Sequence, residues 1–402
     1  MTQAAQARYD AFKQRGLKLD MSRGKPAPEQ LDLSNALLDA LPGFAAADGT
    51  DCRNYGLGVG LPEARALFGQ LLGVAPAQVV VDSSASLSLM HDVVIYSLLN
   101  GRNGARPWAG EQVSFLCPVP GYDRHFSICE ARGLKMINIP LGDNGPDMDL
   151  VEKLVASDAS IKGMWCVPKY SNPSGAVYSD QVVKRLAAMR TAAPDFVLMW
   201  DDAYRFHHLT EESVVVADVI AECAAAGHPD RAFVFASTSK VSWAGSGIAA
   251  LASSPANIAW WTKHAGIRSI GPDKINQLRH VRFLKDPATV DALMARHRAL
   301  LKPKFDAVLA QFQEHLGSVD GVSWTVPKGG YFIDLVTPRG AAKRTIALAK
   351  EAGITLTPAG AAYPYGLDPE DSHIRIAPSF PSLPEITQAA EGIALALRLA
   401  VA

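Results

Sequence analysis

FVFASTSKVSWAGSG, residues 233–247, is an apolar run that breaks into small hydroxyl residues, presents one lysine and then gives way to glycines. Phe233, Val234 and Phe235 form the unbroken apolar stretch of a parallel strand buried on both faces. Ser237, Thr238 and Ser239 then offer hydroxyl donors beside Lys240. A lysine just after a strand is most often a solvated loop residue. Among hydroxyls at a strand end it also suits an amine nucleophile with a lowered pKa, beside a seat for an anion. A phosphorylated cofactor that carries a carbonyl would satisfy both features.

Outward from this strand, between about Leu57 and Ser254, short apolar runs alternate with helical patterns, as in a βαβ sheet covered on both faces. Candidate strands lie at 79–81, 113–116, 136–139, 164–167, 196–200, 233–235 and 248–252. The expectation is an α/β fold on a mostly parallel, seven-stranded sheet. Pro62 opens a helix that Gly73 closes, with Leu67 and Leu71 on one face. Further helices are expected at 148–156 and 180–190. After Pro287 comes a helical stretch over 288–316, which Pro303 should kink. Short strands at Trp324, 331–335 and 373–376 then alternate with helices at 341–352 and 384–401. This predicts a large domain over 48–296 and a smaller α+β domain made of 1–47 and 297–402. The N-terminal segment alone is too short to bury a core.

The 402 residues are 48% hydrophobic and 20% charged, the proportions of a globular enzyme. Lysine plus arginine (39) nearly balance aspartate plus glutamate (40), and no basic run is interleaved with aromatics. That argues against nucleic acid and for small-molecule partners. The start, MTQAAQARYDAFKQRG, is amphipathic, and no run of 18 apolar residues occurs, so neither export nor a membrane is expected. Cys52, Cys117, Cys129, Cys166 and Cys223 are scattered and include no Cys-x-x-Cys. Reduced thiols in a cytoplasm, and no metal, are expected.

Open parallel sheets bind ligands beyond the C-terminal ends of their strands, so the residues that follow each apolar run carry the chemistry. Ser84 and Ser86 follow 79–81 and precede a helix whose free N–H groups could seat an anion, or they merely cap it. In CPVPGYDRHF, Tyr122 offers a flat face to a planar heterocycle, or simply packs, and His125 is three residues on. Asn172 opens the turn Asn-Pro-Ser-Gly with a fixed amide. Asp201 directly follows five apolar residues, with Tyr204 three further on; a carboxylate there is either paired or raised in pKa.

In their order along the chain, these motifs and Arg375 of HIRIAPSF resemble the fold-type I aminotransferases that use pyridoxal phosphate, over nearly the whole sequence. PGYDRHF, WCVPKYSNPSG, FASTSKVSWAGSG, IGPDKINQLRHVRFL and IRIAPSFPS are most similar to the MocR-like branch that contains class Ic bacterial aspartate aminotransferases. The resemblance implies that Lys240 would hold the cofactor as an internal Schiff base and later move the proton at the substrate Cα. Asp201 would pair with the protonated pyridine nitrogen, with His125 behind it. Tyr204 and Asn172 would donate to the ring's phenolic oxygen, and Tyr122 would stack on the ring. Ser84, Ala85 through its backbone, Ser86 and Ser237 would hold the phosphate. Tyr55 of NYGLGVG would reach the phosphate of a neighbouring subunit, which implies a homodimer.

On the substrate side, Arg375 would grip the α-carboxylate in a bidentate fork, with Asn172 beside it and the backbone of Gly24 approaching the same group. Arg268 stands where aspartate-specific members carry an arginine that crosses the dimer interface to the side-chain carboxylate. A plain surface arginine is the alternative, and Arg23 or Lys25 could supply the charge instead. Many relatives carry an arginine about eight residues past the lysine; here Ser246 and Gly247 stand there. The implied activity is ping-pong transfer of the amino group of L-aspartate or glutamate to 2-oxoglutarate or oxaloacetate. An aromatic, alanine or kynurenine donor, or a β-lyase, would keep the cofactor and change the substrate. A transcription regulator has too little sequence before SRGKP for a winged helix, and a Rossmann dehydrogenase lacks a strand before GLGVG.

Overall fold

The computed structural model describes residues 2–102 and 104–402. Eight strands form its principal sheet. They are β1 (Val79–Val81), β2 (Ser114–Val119), β3 (Lys135–Gly142), β4 (Gly145–Pro146), β5 (Ile161–Cys166), β6 (Val197–Asp201), β7 (Ala232–Ser237) and β8 (Ala249–Ala252). Across the sheet they run β1-β8-β7-β6-β5-β2-β3-β4. From β7 to β3 every pairing is parallel. Strand β8 is antiparallel to both β1 and β7, and β4 is antiparallel at the far edge. The seven expected strands are all present. The eighth, β4, is a two-residue return too short to make an apolar run.

Alternation sorts the central strands onto two faces. Leu116, Met164, Leu198 and Val234 join the helices Pro62–Leu72, Met148–Ser157 and Asp180–Ala188 in one core. Phe115, Trp165, Met199 and Phe233 face the helices Ser86–Asn100 and Pro255–Arg268 in another. Both faces are dry, which is why these strands read as unbroken apolar runs. Chain order reverses between β2 and β5, since β3 lies on one side of that gap and β6 and β7 on the other. A sheet of this kind opens a crevice at the strand ends there.

A further core lies off the principal sheet. Ser323–Trp324, Ile333–Val336 and His373–Ile376 form a three-stranded antiparallel sheet, and Leu19–Asp20 pairs in parallel with Ile354–Thr355. Tyr9 and Phe12 of the N-terminal helix Thr2–Lys13 share this core with Ile333, Ile354, Ile386 and Ile393. The helix Pro287–Leu316 runs as one element across Pro303. Its Val290, Leu293 and Met294 pack on the first core, whereas its Leu301, Phe305, Val308 and Phe312 pack on this one. All five cysteines are buried and free, and no described helix is long and apolar enough to cross a membrane.

Gly392, in the helix Leu383–Ala400, lies directly against the Phe12 ring and Ile354 Cδ1, so a Cβ there would collide with both. Gly392→Val should therefore destabilise the protein by about 1–3 kcal/mol through overpacking. The expected result is a lower urea midpoint with an unchanged slope.

Candidate active site

The loops that leave β6 and β7, the turn after β5 and the start of the helix after β1 enclose a cavity of about 210 Å³. Asp201, the last residue of β6, is buried on its wall. His125 Nε2–H donates to Asp201 Oδ2 at 3.0 Å, and the His125 ring is stacked on Trp165 at 4.3 Å and 9°. Asp201 Oδ1 is buried and has no partner among the described residues. Leaving such an oxygen unmet costs about 1–3 kcal/mol, so the site is built for a donor that a ligand brings. Asp202, equally acidic and adjacent, is engaged elsewhere: its Oδ2 accepts from Arg205 Nη1 at 2.7 Å.

Lys240 follows β7 and lines the same cavity, with Nζ 4.9 Å from the centre of the Tyr204 ring. Withdrawal from water lowers its ammonium below the ordinary lysine range, and the Asp201 carboxylate opposes that shift. Burial pushes the Tyr204 phenol well up. Tyr122 and Asn172 complete this end of the cavity, and the Tyr122 ring meets His125 edge-on at 4.9 Å.

At the other end, the helix Ser86–Asn100 starts on the cavity with Ala85 as its extended N-cap and no side chain capping it. Ser88 N–H donates to the Ala85 carbonyl at 3.1 Å, and among the described residues the Ser86 and Leu87 N–H groups have no backbone partner, which leaves them open to an anion. Ser237 Oγ donates to Ser239 Oγ at 3.0 Å, and Ser239 Oγ donates to the Ser84 carbonyl at 3.4 Å. Ser84 therefore shapes this end through its backbone rather than lining it. A Cβ on Gly247 would lie 3.0 Å from Thr238 Oγ1 and 3.3 Å from the Ser84 carbonyl, so a side chain there would have to push one of them aside. Lys240 is the only cation among the residues that line the cavity.

Arg375, on the strand His373–Ile376, stands beside the cavity rather than on it. Its Nη1 donates to Asp123 Oδ1 at 2.8 Å and reaches Asn172 Oδ1 at 3.5 Å, and its Nη2 donates to Thr357 Oγ1 at 3.3 Å. Its guanidinium lies 5.1 Å from the Phe332 ring, and its buried Nε has no partner among the described residues. Gly24 packs its backbone on that same ring, where any side chain would collide. Arg23 is exposed, and Lys25 Nζ sits 3.8 Å over Phe380.

Arg268 and Tyr55 are not brought to this cavity. Arg268 Nη2 donates to Asp82 Oδ2 at 2.6 Å, and its Nε lies 3.5 Å from Asp92 Oδ2. Burial pushes the Asp92 carboxyl up to about 6. Tyr55 is 81% exposed. The two loops nevertheless touch, because Gly271 packs on the Gly56 carbonyl, which also accepts from Lys274 Nζ at 3.0 Å.

Sequence reasoning passed over Asp123, Thr357 and Phe332 around Arg375, although Asp123 adjoins Tyr122. It also missed three buried histidines, His207, His280 and His297, the last two hidden in ordinary helical patterns. Burial lowers His207 to about 3 and His280 and His297 to about 4, so all three are neutral. The unfolded chain takes up these protons near pH 6.5, so it binds more protons than the fold between about pH 4 and 6.5. Their stability contribution is complete above that window and is lost as pH falls through it. Thermal unfolding followed from pH 7.5 downward should show Tm dropping, and His297→Gln should flatten the slope.

A family model for aspartate amino-transferases matches residues 1–402. A Mycolicibacterium smegmatis relative, whose name goes no further than aminotransferase, is 54% identical over 402 residues, covering 98% of this chain and 94% of its own. An aspartate aminotransferase of Corynebacterium glutamicum is 48% identical over 400 residues, covering 98% and 92%. The crystal structure of an aspartate transaminase from C. glutamicum superposes with a TM-score of 0.97 at 48% identity, over 99% of this chain and 95% of that one.

Proposed function

The chain belongs to the aspartate aminotransferase family, and from that premise we propose that it moves the amino group of L-aspartate, or glutamate, to 2-oxoglutarate, or oxaloacetate. It is a pyridoxal-phosphate-dependent enzyme of fold type I. Within that fold, PGYDRHF and FASTSKVSWAGSG support placing it in the class Ic, MocR-like branch. The observation that carries the reading is that one cavity holds both Lys240 and Asp201, whose Oδ1 has no partner among the described residues.

The residues fit the cofactor. When bound, pyridoxal phosphate supplies an electron sink for the pair left by breaking the substrate Cα–H bond. Asp201 Oδ1 would accept from the pyridine N–H and keep that nitrogen protonated, while His125 holds the carboxylate in place. Lys240 would carry the cofactor through Nζ and, once released, move the proton at Cα; its lowered pKa makes the neutral amine available. Tyr204 and Asn172 would donate to the phenolic oxygen, and Tyr122 would lie on the ring. Ala85, Ser86 and Ser237, with Ser84 holding their loop, would bind the phosphate through hydroxyls and helix N–H groups in place of an arginine. Arg375 would take the α-carboxylate next to Gly24 and Asn172.

Residues 48–296 would then form the cofactor-binding domain, and 1–47 with 297–402 the domain that brings Arg375. We read the active unit as a homodimer. Tyr55, Ile267 and Ile270 are 81%, 84% and 66% exposed, apolar surface that a second copy would cover. Tyr55 would reach the partner's phosphate from there. Five free buried thiols suit a cytoplasmic setting.

The test is spectroscopic and kinetic. The visible absorbance of the purified protein should change on adding aspartate, and aspartate should outpace alanine, phenylalanine and kynurenine as donor. Lys240→Ala should cost several orders of magnitude in rate, and borohydride should fix the cofactor to the Lys240 peptide. Asp201→Asn should slow the half-reaction far more than Asp202→Asn. A faster aromatic or alanine donor would replace the aspartate assignment.

Arg268 poses a separate question, because Asp82 and Asp92 of its own chain already hold it. If it serves the partner's substrate, Arg268→Ala should weaken turnover of aspartate and glutamate by about 2–5 kcal/mol while sparing alanine. Equal losses for acidic and neutral donors would assign it to its carboxylate pairs alone.

A further inference from the structure

The tripeptide Lys240–Val241–Ser242 is held by one buried histidine per residue. His207, in the loop after β6, has its Nε2 3.1 Å from the Lys240 carbonyl. His297, on the helix Pro287–Leu316, has its Nε2 3.0 Å from the Val241 carbonyl. His280, on the helix Lys274–Leu284, has its Nε2 2.9 Å from Ser242 Oγ.

Donor logic settles the tautomers. A carbonyl only accepts, so His207 and His297 each carry their proton on Nε2. His297 Nδ1 then accepts from Gln30 Nε2 at 3.1 Å. Gln30 Nε2 also donates to Tyr331 OH at 3.0 Å, and Gln30 Oε1 accepts from the Ala27 N–H at 3.1 Å. His280 Nδ1 donates to the Asn276 carbonyl at 2.8 Å, which leaves its Nε2 to accept from the Ser242 hydroxyl. The ring closes on the lysine itself, since the Tyr331 ring centre lies 5.9 Å from Lys240 Nζ.

We propose that His207 and His297, supported by His280, are positioning residues for Lys240: their Nε2–H groups donate to the Lys240 and Val241 carbonyls and fix the backbone there, so that only the lysine side chain moves during turnover. A lysine that must alternate between holding the cofactor and moving a proton needs an anchored Cα, because a misplacement of about 1 Å can cost about 100-fold in rate. An arginine or lysine could donate to the same carbonyls, but it would set a second positive charge beside Nζ in a site of low dielectric. Neutral imidazole gives the hydrogen bond without that charge. His207 also ties the lysine to its surroundings, since its carbonyl accepts from the Gly330 N–H at 2.8 Å and its own N–H donates to the Tyr204 carbonyl at 3.0 Å.

The inference rests on the reading of Lys240 given above, and the experiment separates the two. In the cofactor-loaded enzyme, His207→Leu removes the donor, whereas His207→Gln offers an amide N–H in roughly the same place. The single-turnover rate with aspartate should fall about 10- to 100-fold in His207→Leu, with KM within about threefold, and His207→Gln should recover most of the loss. His297→Leu and His297→Gln repeat the comparison should a position-207 variant fail to fold or to hold cofactor. Rates within twofold of the parent in the leucine variants, or glutamine variants no faster than their leucine counterparts, would overturn the proposal. Borohydride labelling of each variant off Lys240 would sink the reading of the lysine itself; labelling on Lys240 with unchanged rates would sink this inference alone.

Discussion

A buried carboxylate with one oxygen satisfied and the other left open organises this molecule. Asp201 can hold that state only because His125 donates to one oxygen while Trp165 pins the imidazole from behind. Trp165 belongs to β5 and Asp201 to β6, so the arrangement depends on the register of two parallel strands, in which Trp165 pairs with Met199. The sheet is thus the frame that fixes a charge at the mouth of the crevice.

The two ends of the cavity solve different electrostatic problems. The Asp201 end concentrates titratable groups whose environments push them apart: a lowered ammonium at Lys240 and a raised phenol at Tyr204. The end at the helix start has hydroxyls and an uncapped N-terminus, and no arginine is among the residues that line it. Gly247 lies there with its backbone close to Thr238 and Ser84, where even a Cβ would press on both. The close approach draws the lysine loop and the serine loop together, so polar groups from both line that end.

Arg375 links the three-stranded sheet to the principal sheet. It comes from the three-stranded sheet, yet it is paired with Asp123 and reaches Asn172, both of which follow strands of the principal sheet. Its guanidinium is oriented by Thr357 and Phe332 and engaged by Asp123. The helix Pro287–Leu316 spans the same boundary, with its first half in one core and its second half in the other. The histidines behind Lys240 come from this helix, its neighbour and the loop after β6, so the lysine backbone is referenced to both bodies.

Local pattern was enough to read the seven longer strands, because strands covered on both faces are apolar without interruption and end in small polar residues. Lys240, Asp201, Tyr122 and Asn172 could be picked out for the same reason, each standing just past such a run at a crevice that parallel sheets always open. What stayed hidden has no local signature. A two-residue edge strand makes no pattern, Asp123 becomes Arg375's partner only when residues 252 positions apart meet, and His280 and His297 look like any helical histidine until folding buries them. Asp201 and Asp202 are chemically identical in sequence; tertiary structure gave one of them His125 and an open oxygen, and the other Arg205. Composition and periodicity record which surfaces leave water, whereas the pairing of polar groups depends on which distant segments are brought within hydrogen-bond reach, and only the folded chain decides that.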